Sequence, residues 1–314
     1  MEAKLRIIFI KDWHDDAEHF GGNFDGILGA IAELSKRHSL LYVTRGPNGY
    51  GFFNGISHRF VERLSDVSFS GADAIVCWGS LDRPWHNELP PDVPAFLCFA
   101  GGPTDHPFLS HFQHIFVESK TYEDDFRSRG LSVSRAFGVN TSVFKPNPRM
   151  SKVFDAIYPA SFCFHKNQEV FARAMGPRGL CVGTWNEEDI AGKCLSLGTP
   201  IMRRVSSNVL SDLFNMSRCT VIPCGPAGGS QRTVLESMAC GVPVVLARDN
   251  DKCREFVEES GFGVLVDPIP EAIREAVESL KPFPFNPEKG LSYVQSRWTH
   301  VHYANAIEKE LLHG

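Results

Sequence analysis

The sequence has no apolar run long enough to cross a membrane. Its N-terminal apolar stretch, Leu5 to Ile10, is broken by Arg6 and is soon followed by charged residues, so it does not resemble a signal peptide. No segment approaches the roughly 18 apolar residues that a membrane-spanning helix needs. We therefore expect a cytoplasmic protein without a transmembrane segment. Peripheral contact with a membrane surface stays open.

The chain also lacks an excess of basic residues. Its 314 residues include 32 Lys and Arg against 37 Asp and Glu, which gives a net charge of −5 and a pI near 6.2. A protein whose main partner is nucleic acid is normally basic, because it binds through phosphate contacts. The composition argues against such a partner, although one local basic run, Met202-Arg-Arg-Val-Ser, is present.

Motifs for disulfides, metals and dinucleotides are missing as well. The nine cysteines contain no C-x-x-C pair, and their odd number favours buried thiols in a reducing compartment. There is no D-x-D flanked by apolar strand residues and no H-x-x-x-H pair, so we expect no metal and no cofactor. Lys11-Asp-Trp-His stands where a dinucleotide enzyme would carry G-x-G-x-x-G after its first strand.

Apolar runs of strand length alternate with segments of helical periodicity. Hydrophobic residues make up 43% of the chain and charged residues 22%, which indicates a folded protein, and the length favours two domains. Runs such as Leu5–Ile10 read as strands, Phe24–Arg37 as a helix, and Ser57–Leu64 also as a helix. The alternation predicts parallel sheets covered by helices on both faces.

The segment from Asn140 to Arg149 interrupts this alternation. It holds two prolines and two asparagines without periodicity, which predicts an exposed linker between two α/β halves. A second series of strands and helices follows, and the chain ends in an amphipathic stretch, Ser292–Leu312. Two such halves would place a cleft where the carboxyl ends of their strands face each other.

The most informative stretch runs from Gly228 to Val245 and reads GGSQRTVLESMACGVPVV. A glycine-rich loop that opens a helix offers backbone N–H groups at the positive end of the helix dipole, and this arrangement binds phosphate. Glu236 lies about two turns further on, within reach of the sugar of a nucleotide. The stretch therefore predicts a site for a nucleotide or a nucleotide sugar.

Four stretches together resemble the GT-B glycosyltransferases of the large retaining family called family 4. They are Gly21-Gly22-Asn23, the passage from Phe116-Val-Glu-Ser119 to Ala136-Phe-Gly-Val-Asn-Thr-Ser-Val-Phe-Lys-Pro146, His165-Lys166-Asn167, and the Gly228–Val245 stretch with LESMACGVPVV. They occur in the family's order and spacing over essentially the whole chain.

The resemblance implies a fold class and a reaction. The fold is α/β of the GT-B type, with two Rossmann-like, doubly wound parallel-sheet domains facing a central cleft. Residues 1–145 would bind the acceptor and residues 150–290 the donor, with a last helix over about 292–312 crossing back onto the first domain. The reaction would be metal-independent transfer of a hexose-type sugar from a nucleoside-diphosphate sugar to a hydroxyl, with retention of the anomeric configuration.

The resemblance also implies roles for individual residues. Glu236 matches the glutamate that accepts hydrogen bonds from the donor ribose, and Lys166 matches the lysine that neutralises the diphosphate. His106 and Asp105 are candidates for contact with the transferred sugar. The remaining donor-binding candidates are Gly21, Gly22, Gly229, Ser230, Gln231, Arg232 and Thr233, and the acceptor-binding candidates are His14, Asp15 and Asp16.

Two positions depart from the family pattern. Gly228 stands where the family has the first glutamate of E-x7-E, which contacts the sugar, and Ser161 stands where it has an arginine. We hypothesise that Arg232 supplies the missing positive charge. The departures leave the identity of the sugar open.

The acceptor is also open at this point. A glycan or a lipid-linked sugar is the default, and a hydroxymethylated base in DNA, as for some viral enzymes of this fold, is an alternative that the acidic pI weakens. A non-catalytic protein that only binds nucleotide sugars is a further alternative of another class. A UDP-sugar is favoured over a GDP-sugar as donor, and the sequence does not define the oligomeric state.

Overall fold

The computed structural model describes residues 4–14, 27–53, 55–229, 231–281 and 286–313. The chain divides into two compact units. Unit 1 comprises Met1–Gly138 and His300–Gly314, and unit 2 comprises Val139–Thr299. Among the described residues, no helix has the length and apolar character that a bilayer span requires.

Unit 1 is built on an eight-stranded sheet. Its strands are β1 (Arg6–His14), β2 (Ser39–Arg45), β3 (Gly49–Phe53), β4 (Ile56–Val61), β5 (Ala74–Gly79), β6 (Ala95–Phe99), β7 (His114–Val117) and β8 (Val133–Arg135), and its helices include α1 (Ile27–Ser35) and α2 (Lys120–Ser128). The strand order is β3-β4-β2-β1-β5-β6-β7-β8. All neighbouring pairs are parallel except β3 and β4.

The first strand shows how the sequence produces this layered architecture. Ile7 and Phe9 belong to the apolar core on one face of the sheet, whereas Ile8 and Ile10 belong to the core on the other face. Side chains alternate between the two faces of a strand, so an unbroken apolar run requires burial on both faces. The prediction of a sheet covered on both sides is confirmed.

The predicted helix over Ser57–Leu64 was wrong. Residues 56–61 form β4, which pairs parallel with β2 and antiparallel with β3. Ile56 and His58 are buried while Ser57 is exposed, which is the period-2 pattern of a strand. The imidazole of His58 is 2.9 Å from the hydroxyl of Thr44 and packs against the ring of Tyr42. The pattern was missed because a histidine occupies a core position.

The last helix, α10 (His300–His313), packs against α1 within unit 1. The Arg37 guanidinium and the His38 imidazole contact the Glu308 carboxylate at 2.8 and 2.7 Å. A second helix, α9 (Pro287–Arg297), precedes it, so the amphipathic stretch 292–312 is divided between two helices at Trp298-Thr299.

Replacement of Gly29 by alanine tests how tightly α10 packs on α1. A Cβ atom at Gly29 would overlap the imidazole of His300, which is buried. We expect Gly29→Ala to lower the free energy of unfolding by about 1–3 kcal/mol, as overpacking does. Gly192→Ala, also in a helix but with no atom within 4 Å of the added carbon, is the control and should not destabilise. Equal melting temperatures for the two variants would contradict this packing.

Unit 2 contains a six-stranded sheet that is parallel throughout, in the order β11-β10-β9-β12-β13-β14. The strands are β9 (Phe154–Pro159), β10 (Gly179–Gly183), β11 (Ile201–Arg203), β12 (Ser217–Ile222), β13 (Val244–Ala247) and β14 (Gly263–Val266). The helices are α3 (Gln168–Met175), α4 (Glu188–Ser196), α5 (Ser207–Asn215), α6 (Gln231–Ala239), α7 (Arg254–Ser260), α8 (Pro270–Ser279) and α9.

The segment Asn140–Arg149 belongs to unit 2 and lies just after the boundary between the two units. Half of its residues are exposed, as expected of a linker, but side-chain contacts also anchor it to the rest of unit 2. The Phe144 side chain is buried and contacts Phe214 in α5. The backbone N–H of Asn147 donates to the side-chain oxygen of Asn215 at 2.7 Å. The proline and asparagine content correctly indicated irregular structure, but it carried no information about these side-chain partners.

Candidate functional site

The strand order of unit 2 creates a switch point between β9 and β12. The chain leaves β9 toward β10 and β11, and it then returns to the other side of β9 to form β12. In sheets of this topology, a crevice is left at the carboxyl ends of the two strands that flank the switch point. Open parallel α/β sheets bind their ligands at such a crevice.

Lys166 lies in the loop after β9, in a short 3-10 helix (Phe164–Lys166). Its ammonium group donates a hydrogen bond to the backbone oxygen of Gly228, in the loop after β12. The phenol of Tyr158 donates to the backbone oxygen of Lys166 at 2.6 Å, and burial raises the pKa of this phenol well above its ordinary value. The backbone of Lys166 is thus fixed by a buried, neutral donor, and its charge lies beside the glycine loop.

The glycine loop leads into α6, which begins at Gln231. Gly229 has a φ of +60°, a conformation that favours glycine. The N–H groups in the first turn of a helix have no partner inside the helix, so they are available to an anion. The ammonium group of Lys166 therefore contacts the loop that leads into α6.

Gly228 occupies a place that has no room for a side chain. A Cβ atom there would overlap the Cβ and Sγ atoms of Cys224, which is fully buried. The glutamate that the family pattern has at this position does not fit this loop conformation. The departure at Gly228 is therefore accompanied by a specific packing arrangement with Cys224.

Gly228→Ala is expected to destabilise unit 2 by about 1–3 kcal/mol because of this overlap. The double variant Cys224→Gly/Gly228→Ala removes the atoms that overlap, so we expect the two substitutions to be less destabilising together than the sum of the single effects. Urea unfolding of the four proteins measures this coupling. Strictly additive effects would show that Cys224 does not limit the space at Gly228.

Glu236 lies in the second turn of α6 and is buried, with only 3% of its surface exposed. The guanidinium of Arg232, one turn earlier, approaches its carboxylate at 3.5 Å. A buried carboxylate needs charged or hydrogen-bonding partners, and Arg232 is one of them. The hydroxyl of Thr233 donates to the backbone oxygen of Pro159 at 3.2 Å and so links α6 to the end of β9.

Cys163 and His165 precede Lys166 in the same loop. Burial, followed by the positive charge of Lys166, lowers the pKa of His165, so its imidazole is less basic than an ordinary histidine. Burial raises the pKa of the Cys163 thiol. Both side chains therefore favour their neutral forms, and the lysine carries the charge of this loop.

The sequence of this region matches a known family. Residues 161–281 match the family model described as glycosyl transferases group 1. These residues form a group 1 glycosyltransferase domain. For residues 161–281, this match confirms the predicted group 1 family and the glycosyltransferase class. A search of the curated proteins finds no match.

Several solved structures have the same fold as this chain. Sucrose-phosphate synthase from Thermosynechococcus elongatus superposes with a TM-score of 0.74 at 15% identity, and the match covers 98% of each chain. A glycosyltransferase from Rickettsia africae gives 0.75 at 14% identity, covering 98% of this chain and 99% of that one. Anabaena HepE in complex with UDP gives 0.72 at 14% identity with the same coverage. The predicted GT-B fold is confirmed.

The structure brings together several of the predicted donor-binding residues of the group 1 domain. Lys166 contacts the loop of Gly228 and Gly229, and Arg232 contacts Glu236. Gln231 is buried at the start of α6. Ser230 lies outside the described residues, as do the predicted Gly21, Gly22, Asp15 and Asp16. His14 is described only as the last residue of β1.

The two sugar-contact candidates, His106 and Asp105, lie in unit 1 after β6. The His106 ring accepts a hydrogen bond from the backbone N–H of Phe108 at 3.4 Å and caps a 3-10 helix. The Asp105 carboxylate is almost fully exposed and lies 3.7 Å from the guanidinium of Arg129. These contacts give both side chains a local structural role, and a role in sugar binding stays a prediction.

A second switch point lies in unit 1, between β1 and β5. At this edge the Lys11 ammonium stands over the Trp78 ring, 5.2 Å from its centre. Beside it the buried Asp12 carboxylate pairs with Arg45 at 2.5 Å and accepts from the backbone N–H of Trp85. In the sequence, Lys11 and Asp12 stood out only as part of the stretch that takes the place of a dinucleotide motif. Arg45, Trp78 and Trp85 were not identified as site candidates, although the polar Lys11-Asp12 pair after a predicted strand could have indicated this edge of the sheet.

No group of three or more His, Cys, Asp or Glu side chains suited to a metal ion occurs in the part of the chain that the structure describes. All nine cysteines are free thiols and all are buried.

Proposed function

We propose that the protein transfers a hexose-type sugar from a nucleoside-diphosphate sugar to an acceptor hydroxyl, with retention of configuration and without a metal ion. The observation that carries the proposal is the contact of the Lys166 ammonium with the glycine loop that leads into α6, at the switch point of the group 1 domain. A cation and a helix N-terminus at one crevice form a site for a diphosphate.

The proposed reaction needs positive charge where the leaving group forms. As the bond between the anomeric carbon and the phosphate oxygen breaks, negative charge grows on the diphosphate. Lys166 and the N–H groups at the start of α6 stabilise that charge through a preorganised arrangement. Arg232 adds a second cation at the same helix and partly compensates for the arginine that Ser161 replaces.

Glu236 holds the nucleoside in this proposal. Its ionised carboxylate accepts hydrogen bonds from the two ribose hydroxyls, and such charge-assisted bonds are stronger than neutral ones. The Glu236 side chain, which projects from α6, is buried, so its position is fixed before the donor binds. The donor is thereby oriented with its diphosphate toward Lys166.

The chemical step proceeds on one face of the sugar. The acceptor oxygen forms a bond to the anomeric carbon as the phosphate leaves, and the leaving phosphate oxygen takes the acceptor proton. The enzyme contributes position and electrostatic stabilisation, so no side chain has to act as a covalent nucleophile.

We assign the acceptor to unit 1, near the switch point that carries Lys11 and Trp78. A hydroxyl of a glycan or of a lipid-linked sugar is the proposed acceptor, and His14, Asp15, Asp16, His106 and Asp105 remain proposed contacts for the substrates. UDP is the proposed nucleotide. Support comes from the Anabaena HepE structures of the same fold, which contain UDP, UDP with glucose, or UDP-glucose.

The test is release of nucleoside diphosphate from UDP-, GDP-, ADP- and dTDP-sugars, with and without a panel of glycan acceptors. We expect one donor to be hydrolysed slowly alone and faster with an acceptor. Proton NMR should show product with the anomeric configuration of the donor. EDTA should not change the rate, and neither should added Mg²⁺ or Mn²⁺. Binding of a donor without any nucleotide release would instead identify a non-catalytic protein, and an inverted product would contradict the retaining mechanism.

A further inference from the structure

The carbonyl groups of the loop Pro223–Gly229 are held by side chains that come from outside the loop. The Asn167 amide nitrogen donates to the oxygen of Pro223 at 3.1 Å. Lys166 donates to the oxygen of Gly228. The Asn250 side chain donates two such hydrogen bonds, one near each end of the loop.

Asn250 is fully buried and lies three residues after the end of β13. Its side-chain nitrogen donates to the backbone oxygen atoms of Cys224 and of Gly229, at 2.9 Å each. Both neighbours are carbonyl oxygens, which only accept hydrogen bonds, so the amide must present its nitrogen to them. The thiol of Cys253 adds a third donor, 3.2 Å from the oxygen of Gly229.

The backbone of Asn250 is also fixed. Its N–H donates to the oxygen of Ala247 at 3.0 Å, and its own carbonyl oxygen accepts from the N–H of Arg254 at the start of α7. The side chain therefore stands at a defined place between β12, β13 and α6. A rigid donor at this position fixes the carbonyl groups of Cys224 and Gly229 relative to each other.

We propose that Asn250 is a positioning residue for the donor diphosphate. By binding the carbonyl oxygens of Cys224 and Gly229, it holds the loop that leads into α6 in place beside Lys166. Asn250 itself does not touch the substrate. The inference rests on the proposed function, because it assigns the loop to a diphosphate.

Asn250→Asp tests this role with a minimal change in shape. The aspartate keeps the size of the side chain but loses both donors, and its oxygen faces two carbonyl oxygens. We expect the Kd for UDP to rise at least about ten-fold, because the loop beside Lys166 is no longer held in place. The Kd for uridine, which has no phosphate, should change by less than about two-fold.

Asn215→Asp is the matched control. Asn215 is also a buried asparagine of unit 2, and its amide nitrogen donates to two carbonyls, those of Lys145 and Ser211, at 3.0 and 2.9 Å. The Asn215→Asp substitution should lower the melting temperature without changing the ratio of the UDP and uridine affinities. A purely structural role of Asn250 would give the same result as this control.

Calorimetric titration of the wild type and the variants with UDP and with uridine tests whether Asn250 positions the loop for the diphosphate. A Kd for UDP in Asn250→Asp within two-fold of the wild-type value overturns the inference while the proposed function stands. If Asn250→Asp does not fold, Asn250→Ser is titrated instead under the same criterion, because its hydroxyl can reach at most one of the two carbonyls. A wild-type protein that binds none of UDP, GDP, ADP and dTDP would contradict the proposed function itself.

Discussion

Replacement of Lys166 by methionine is expected to lower kcat about 10²–10³-fold, which is the usual cost of removing one preorganised donor that stabilises transition-state charge. Methionine keeps much of the side-chain volume but carries no charge. The Lys166 ammonium contacts the glycine loop at the crevice, so its loss removes positive charge where the diphosphate leaves. Steady-state kinetics with the donor and acceptor that the wild type uses measure the effect.

The control for this prediction is Lys193→Met. Lys193 lies in α4, is about half exposed and pairs with Asp189 at 4.0 Å on the same helix. Surface pairs of this kind contribute little, so kcat should not change. Lys166→Arg keeps the charge and should retain more activity than Lys166→Met. A Lys166→Met enzyme with kcat within three-fold of the wild-type value would show that this lysine does not stabilise the leaving group.

Replacement of Glu236 by glutamine is expected to raise the Kd for UDP by about 10- to 100-fold. Charge-assisted hydrogen bonds contribute about 1.5–3 kcal/mol each, and glutamine still offers one neutral acceptor. The wild-type protein should bind 2′,3′-dideoxy-UDP more weakly than UDP by a similar factor. Glu236→Gln should bind the two ligands about equally, because the hydroxyls have lost their charged acceptor.

Arg232→Gln separates the ribose contact from the ion pair within α6. This variant removes the cation that lies 3.5 Å from Glu236 but leaves the carboxylate in place. It should keep the preference for UDP over the dideoxy compound, whereas Glu236→Gln loses it. If Glu236→Gln retained the wild-type preference, the carboxylate would not bind the ribose.

The fold of unit 2 could be predicted from the sequence because the patterns that indicate its strands and helices lie in short stretches of the chain. Buried parallel strands such as β10 and β13 are short apolar runs, and α3 shows clear helical periodicity between Asn167 and a terminal glycine. The hairpin of β3 and β4 was not readable in the same way. Its burial depends on His58, whose hydrogen bond to Thr44 exists only after the strands have paired.

The candidate site was predictable only in part for a similar reason. Lys166 lies in one short sequence motif, and the glycine loop and Glu236 lie together in another. The residue types in these motifs indicate their chemistry. Asn250 carries no motif, since its role depends on β13 lying next to β12 so that one amide can reach both Cys224 and Gly229. The fit of Cys224 against Gly228 is likewise a property of the folded loop.

Calorimetric titration of UDP into the wild type and into Lys166→Met/Glu236→Gln tests the placement of the donor most directly. We expect a wild-type Kd below about 1 mM, the upper end of the usual range for enzyme substrates. The double variant should show no measurable binding while it retains the wild-type fold by circular dichroism. Equal binding by the two proteins would contradict the placement of the donor at the crevice between β9 and β12.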